Sequence, residues 1–284
     1  MVLRFVSGII GIPLLILFVF VGDGIPFILS VAIMSVIGLD EFYRGVRATG
    51  AEPQEWVGLA SAFLFLLVAR NQFHEAAFSL PGVLTLFVIA TLTIELIRDN
   101  RAPVRNLGST FLGVVYVGWL FSYLVAIRSI GGTFHVQHVP WAIPLGAWLV
   151  LFVVFISWAA DTGAFLVGRK WGKHKLVPKV SPGKSWEGLF AGIASAILMG
   201  LLMGWPMHMT WYTRLLLGLG IALATVVGDL AESSIKRDIG IKDFGSILPG
   251  HGGILDRFDG LLFAAPFFYY YVTLVLRYPT FTPA

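Results

Sequence analysis

Apolar residues run in long blocks along almost the whole chain, separated by short polar or charged stretches. Nine blocks are candidate membrane spans: 4–21, 25–39, 56–69, 78–97, 107–127, 144–166, 186–204, 213–227 and 260–276. Each reads as a helix, because a segment crossing hydrocarbon has to satisfy its own backbone hydrogen bonds. The second, third and eighth are short for a hydrocarbon layer roughly 30 Å thick and have to tilt, recruit flanking residues or insert only in part. The first carries one early arginine, Arg4, and no A-x-A-like site, so it reads as an uncleaved span rather than a signal peptide. The pattern predicts an all-α, polytopic bundle of about nine transmembrane helices. Residues 1–140 hold five spans with no assigned function, and residues 141–284 hold the motifs that carry chemistry.

The basic residues orient these spans. With the N-terminus in the cytoplasm, the inside receives Arg4; Arg44 and Arg47; Arg98, Arg101 and Arg105; six residues from Arg169 to Lys184; and four between 228 and 259. Arg70, Arg128, Arg214 and Arg277 fall outside. Sixteen against four is the bias expected of cytoplasmic loops. Residues 40–55, which mix charges and aromatics, read as a short helix lying in the interface.

Composition narrows the chemistry. Hydrophobic residues make up 57% of the chain and charged ones only 13%, which leaves no soluble domain of useful size. The absence of cysteine excludes disulfides, zinc–thiolate sites, iron–sulfur clusters and thiol nucleophiles. The net charge of +4 is not a nucleic-acid signature, because it follows the membrane topology. No nucleic-acid partner is expected.

Against this apolar background one stretch stands out. Residues 228–259 hold six of the 16 acids (Asp229, Glu232, Asp238, Asp243, Asp256, Asp259) and four of the 20 basic residues (Lys236, Arg237, Lys242, Arg257), around a Gly-rich hinge from Pro249 to Gly253. On a helix, Asp229, Ser233 and Lys236 share one face, and Glu232 and Lys236 form an i,i+4 pair that could be a plain stabilising contact. Asp256 and Asp259 would project together from the head of the ninth span. Hard carboxylate ligands suit Mg²⁺, cations suit phosphate oxygens, and glycines such as Gly252 and Gly253 let backbone amides approach an anion. These are the parts of phosphoryl or nucleotidyl transfer.

Two further segments add candidates. Asp161 sits in the sixth span, where an unpaired acid costs about 2.5–3.5 kcal/mol on insertion scales, so it should face a polar interior. The basic loop 169–184 ends in Ser181-Pro182-Gly183-Lys184-Ser185, where Pro182 and Gly183 shape a turn that presents Lys184 beside the two serines. It is not a Walker A loop: Pro178 stands where that motif needs glycine, and no strand is expected before it.

Ser233-Ser234-Ile235-Lys236-Arg237, Lys242-Asp243-Phe244-Gly245 and the run from Leu248 to Asp259 (LPGHGGILDRFD) together resemble the C-terminal signature of CDP-diacylglycerol synthase, or phosphatidate cytidylyltransferase. SPGKSWEG resembles that family's second motif, with Gly183 where lysine is common and Ser185 where threonine is usual. The resemblance covers roughly residues 155–262; over the N-terminal half it is one of length and span count.

The resemblance implies transfer of CMP from CTP to phosphatidate, giving CDP-diacylglycerol and pyrophosphate, with Mg²⁺ required and a second metal or a monovalent cation left open. It implies Asp229 and Asp256 as the first metal ligands, with Asp259, Asp243 and Asp161 next. Ser181, Lys184, Ser233, Lys236, Arg237, Lys242, Gly252, Gly253 and Arg257 would hold substrate, and Lys184, Lys236 and His251 would take part in catalysis. The partners are then CTP, phosphatidate and the bilayer itself, in a bacterial-type inner membrane with the site facing the cytoplasm. A homodimer is compatible with the resemblance. The alternatives are a CTP-dependent enzyme acting on a polyprenyl alcohol or an ether lipid, and a secondary transporter with intramembrane acids.

Overall fold

In the computed structural model, residues 2–71, 79–99, 102–136, 139–246 and 252–276 are described, with side chains from Gly11 onward. Every one of the nine apolar blocks is helical: α1 (Val2–Phe20), α2 (Ile25–Arg47), α3 (Glu55–Arg70), α4 (Leu80–Ile97), α5 (Pro103–Arg128), α6 (Leu145–Trp171), α7 (Trp186–Met203), α8 (Trp211–Asp238) and α9 (Leu255–Val275). Among the described residues, seven helical segments are long and apolar enough to cross a bilayer. One of these, Gly11–Arg47, contains the end of α1 and all of α2, while α3 has only 16 residues. The chain is therefore a polytopic helical membrane protein. Its strands, among the described residues, are two small hairpins: β1 (Thr133–Phe134) with β2 (Ile143–Pro144), and β3 (Lys175–Val177) with β4 (Ser181–Ser185).

The structure divides into two compact units, residues 1–129 with 238–257, and residues 130–237 with 258–284. In the first, the chain breaks between α1 and α2 at Gly22-Asp23-Gly24, all three with positive φ, and restarts with Pro26 in the first turn of α2. Buried Arg128 closes this break, donating to the carbonyl of Val19 at 2.8 Å with Asp23 beside it at 3.8 Å. Phe65, Val68, Val83, Phe87 and Val114 form the apolar core between α3, α4 and α5. Glu95 is buried at the end of α4. Its carboxylate accepts from Gln54 Nε2 (2.7 Å), Asn106 Nδ2 (3.0 Å) and Arg98 Nη1 (3.3 Å), so this acid is structurally satisfied.

Residues 40–47 are not an interfacial helix. They continue α2, burying Glu41, Phe42 and Tyr43, and so the short second block reaches 23 residues. Its apolar count ended at Leu39 because the charges of Asp40 and Glu41 follow.

In the second unit, small residues set the helix spacing. Gly188, Gly192, Ala196 and Gly200 recur every four residues along α7 and are its buried positions. A Cβ at Gly192 would stand 2.7 Å from the Ala160 carbonyl, and one at Gly188 would stand 2.9 Å from that of Ala164. Backbones thus touch directly, as small-xxx-small stripes allow in lipid, where burying larger apolar side chains gives little advantage. Ser157 and Thr225 share a buried hydrogen bond of 2.9 Å between α6 and α8, and Phe152 stacks on Phe268 of α9 at 5.3 Å.

The α6–α7 contact gives the first prediction. Gly192→Val should lower stability by about 1–3 kcal/mol through overpacking, read as an earlier unfolding transition in detergent. Substituting the lipid-exposed Leu198 on the same helix by alanine should leave the transition in place.

Candidate functional site

In the second unit the site begins with the β3–β4 hairpin. Its turn lies at 178–180, so Pro182 and Gly183 are strand residues rather than the turn, and a short strand does precede the SPGKS segment. The Walker A reading still fails, because residues 181–185 are themselves extended. Ser185 caps α7 by accepting from the Gly188 amide at 3.2 Å, and Glu187 in the first turn contacts His174 Nδ1 at 2.6 Å. With both ends of the hairpin held, Lys184 reaches α8 and pairs with Asp229 at 2.8 Å. Two residues 45 apart in sequence, one in the SPGKS motif and one just ahead of the C-terminal signature, therefore meet through one ion pair.

The helix that receives it, α8, runs well past the apolar block that predicted it, to Asp238. On its inner face Ser233 Oγ donates to Asp229 at 3.3 Å, as the i,i+4 spacing anticipates. Lys236 pairs with Glu232 at 2.6 Å, and Glu232 is 0% exposed. Where α8 meets α9 the backbones nearly touch: a Cβ on Gly228 would lie 2.5 Å from the Asp259 carbonyl, and one on Gly260 would lie 2.6 Å from Thr225 Cγ2. This crossing brings Asp259 against Glu232 and into the field of Asp229 and Lys236. Three carboxylates and two lysines thus occupy one end of this helix pair. Arg237 is exposed at its margin and donates to the carbonyl of Val180 in the hairpin turn at 3.4 Å, and Ser181 lies half-buried on β4.

In the first unit, Asp256 opens α9. One of its oxygens accepts from the amides of Phe244 (2.9 Å) and Gly253 (2.8 Å), tying residues 244–246 to the helix head. Gly252 turns there with φ +80°. The anion that the Gly253 amide meets is this side chain. Asp256 and Asp259 stand three residues apart on α9. Lys242, Asp243 and Arg257 are exposed. Asp161 is exposed on α6, ten residues inside its Trp171 end, and Arg169 and Lys170 lie over the rings of Phe165 and Trp171. His251, with the hinge residues Pro249 and Gly250, lies outside the described residues.

Two acids that count here were missed as site candidates. Glu232 was read only as a helix pair with Lys236, although it lies inside the cluster. Glu41 was placed in an interfacial segment, whereas α2 carries it on into the packed interior of the first unit. Among the described residues no three His, Asp or Glu side chains are gathered closely enough to form a ready-made metal centre. The donor set nevertheless fits Mg²⁺, which takes one or two carboxylates and keeps its other positions for water and phosphate. Asp229 and Asp259 are like charges held in one field, a repulsion that a divalent cation relieves.

The sequence model of the cytidylyltransferase family matches residues 2–275. The chain belongs to this family. It is 35% identical to the phosphatidate cytidylyltransferase of Synechocystis, over 96% of this chain and 97% of that one. It is 31% identical to that of Bacillus subtilis, over 95% and 97%. A shorter match, 39% identical over 55% of this chain, joins it to the phosphatidate cytidylyltransferase of Haemophilus influenzae, covering 57% of that chain.

The buried pair yields a prediction about stability. Lys236→Met should cost about 3–5 kcal/mol, since it strands the Glu232 carboxylate without its cation. The double substitution Glu232→Gln/Lys236→Met should recover most of that loss in denaturation measured in detergent.

Proposed function

We propose that the protein transfers CMP from CTP to phosphatidate, forming CDP-diacylglycerol and releasing pyrophosphate. The observation that carries this reading is the Lys184–Asp229 pair, which joins the SPGKS motif to the helix face just ahead of the C-terminal signature, inside a cluster of carboxylates and cations. The printed names of relatives that match nearly the whole chain support the same reaction.

The lipid phosphate is already anionic at neutral pH, so no strong base is required. One of its oxygens forms the new bond to the α-phosphorus of CTP. The bond from that phosphorus to the bridging α–β oxygen breaks, and the electron pair leaves with pyrophosphate. Bound Mg²⁺ would neutralise charge on the nucleotide phosphates, with Asp229 and Asp259 as the ligands the second unit offers together. Lys184 stands beside Asp229, where it would meet a phosphate oxygen, while Ser233 and Lys236 hold the two carboxylates of α8 in place. Exposed Arg237 would take remaining phosphate charge, and Ser181 would add a hydroxyl donor. The rate gain is then one of positioning and charge stabilisation. Asp256 holds the turn at the head of α9, and Asp161 is a candidate for further contact with the metal.

The excess of basic residues on one side supports a site facing the cytoplasm of a bacterial inner membrane, where CTP arrives from water and phosphatidate from the leaflet.

Purified protein in mixed micelles should convert CTP and phosphatidate to CDP-diacylglycerol only with Mg²⁺ present. Asp229→Asn should lower kcat by about 10²–10³-fold while the protein stays folded. A variant keeping more than about a tenth of the activity would remove Asp229 from the ligand set.

A further inference from the structure

Glu41 lies far in sequence from every motif, yet it is among the most enclosed acids of the first unit, 3% exposed. Its two carboxylate oxygens are divided between successive amides at the start of α9: Oε1 accepts from Ile254 at 3.1 Å and Oε2 from Leu255 at 3.0 Å. These are donors that a helix start leaves unsatisfied, and the helix N-terminus also favours a negative charge.

The surroundings are built to fit this carboxylate. A Cβ on Gly245 would lie 2.2 Å from Oε1, and one on Gly253 would lie 2.5 Å from both oxygens. Phe42, the next residue of α2, packs on Phe244 at 5.8 Å, and Gly45, one turn on, lies against Ile239 and Phe244. Asp256, one residue after Leu255, binds the amides of Phe244 and Gly253 from the other side. The 244–246 segment and the head of α9 are therefore clasped between two carboxylates, one from α2 and one from α9 itself.

We propose that Glu41 is a positioning residue for the reaction: it acts as a remote cap that fixes the start of α9, and through it the orientation of Asp256 and Arg257. The activity part of this claim rests on the CMP-transfer reading, and the structural part does not. A carboxylate serves both amides at once. A glutamine presents one oxygen and one NH₂, and that NH₂ would face a backbone N–H.

The test uses the full-length protein in detergent, with Glu41→Gln and, independently, Gly245→Ala, which keeps every charge but pushes a methyl group into the carboxylate. Hydrogen exchange should rise in the peptide covering 252–256 and stay unchanged in α3–α5. kcat should fall by about 10–100-fold, the scale of a small misplacement at a reacting centre. KM for CTP and for phosphatidate should move by less than about threefold, because Glu41 touches neither substrate. Wild-type exchange and kcat in both variants would overturn the proposal. So would exchange rising uniformly through α2–α5, with activity lost only in proportion to unfolded protein. If Glu41→Gln fails to fold, Gly245→Ala decides by the same criteria. If the wild type does not turn over CTP and phosphatidate, the reaction assigned above fails, and the exchange comparison still decides whether Glu41 fixes the head of α9.

Discussion

A carboxylate inside a helix that crosses hydrocarbon has to find donors within the protein, because the solvent offers none. That constraint organises this molecule. Glu95 meets an asparagine, a glutamine and an arginine; Glu232 meets a lysine one turn away; Glu41 meets two amides at the start of another helix. For Glu95 and Glu41 the solution ties together segments distant in sequence, so the cost of burying the acid becomes a constraint on tertiary structure. The Glu95 network joins α4 to the segment before α3 and to α5, and makes that end of the first unit rigid. The other two lie next to motif residues, where rigidity has a chemical use.

Helix packing supplies the second constraint. Apolar side chains gain little by leaving lipid for one another, so the second unit relies on close backbone contact and short polar bridges. The stripe on α7 and the Gly228–Gly260 crossing are solutions of this kind, and the second is placed at the chemistry. Had either glycine carried a side chain, α8 and α9 would stand farther apart, and Asp259 would no longer lie against Glu232. Glycines flanking an acid in the sequence, as in Gly228-Asp229 and Asp259-Gly260, serve here as spacers between helices.

The helical class and the position of the apolar helices were legible in the sequence because hydrophobic blocks report burial in lipid directly. Helix ends were not, since α2 and α8 each continue into charged residues that no hydropathy count includes. The i,i+4 pairings of Asp229 with Ser233 and Glu232 with Lys236 could be read because helical geometry fixes them locally. The Lys184–Asp229 pair could not: it depends on a hairpin whose strands are too short and too polar to show a period of two. Glu41 was hidden for a related reason. Its partners are backbone amides more than two hundred residues away, and a backbone amide leaves no mark in a sequence.

The same geometry bears on how the signature acids divide their work. The family resemblance ranked Asp256 with Asp229 as a ligand, but their surroundings differ. Among the described residues Asp229 meets the side chains of Lys184 and Ser233, and both can shift when a phosphate or a cation arrives. Asp256 commits an oxygen to two backbone amides, and moving it would release the 244–246 segment. A carboxylate held by backbone is suited to keeping a loop in place, and one held by mobile side chains is suited to exchanging partners during turnover. In the proposed reaction the exchangeable chemistry would fall to Asp229 and its neighbour Asp259, while Asp256, clasped opposite Glu41, would keep the head of α9 in one conformation.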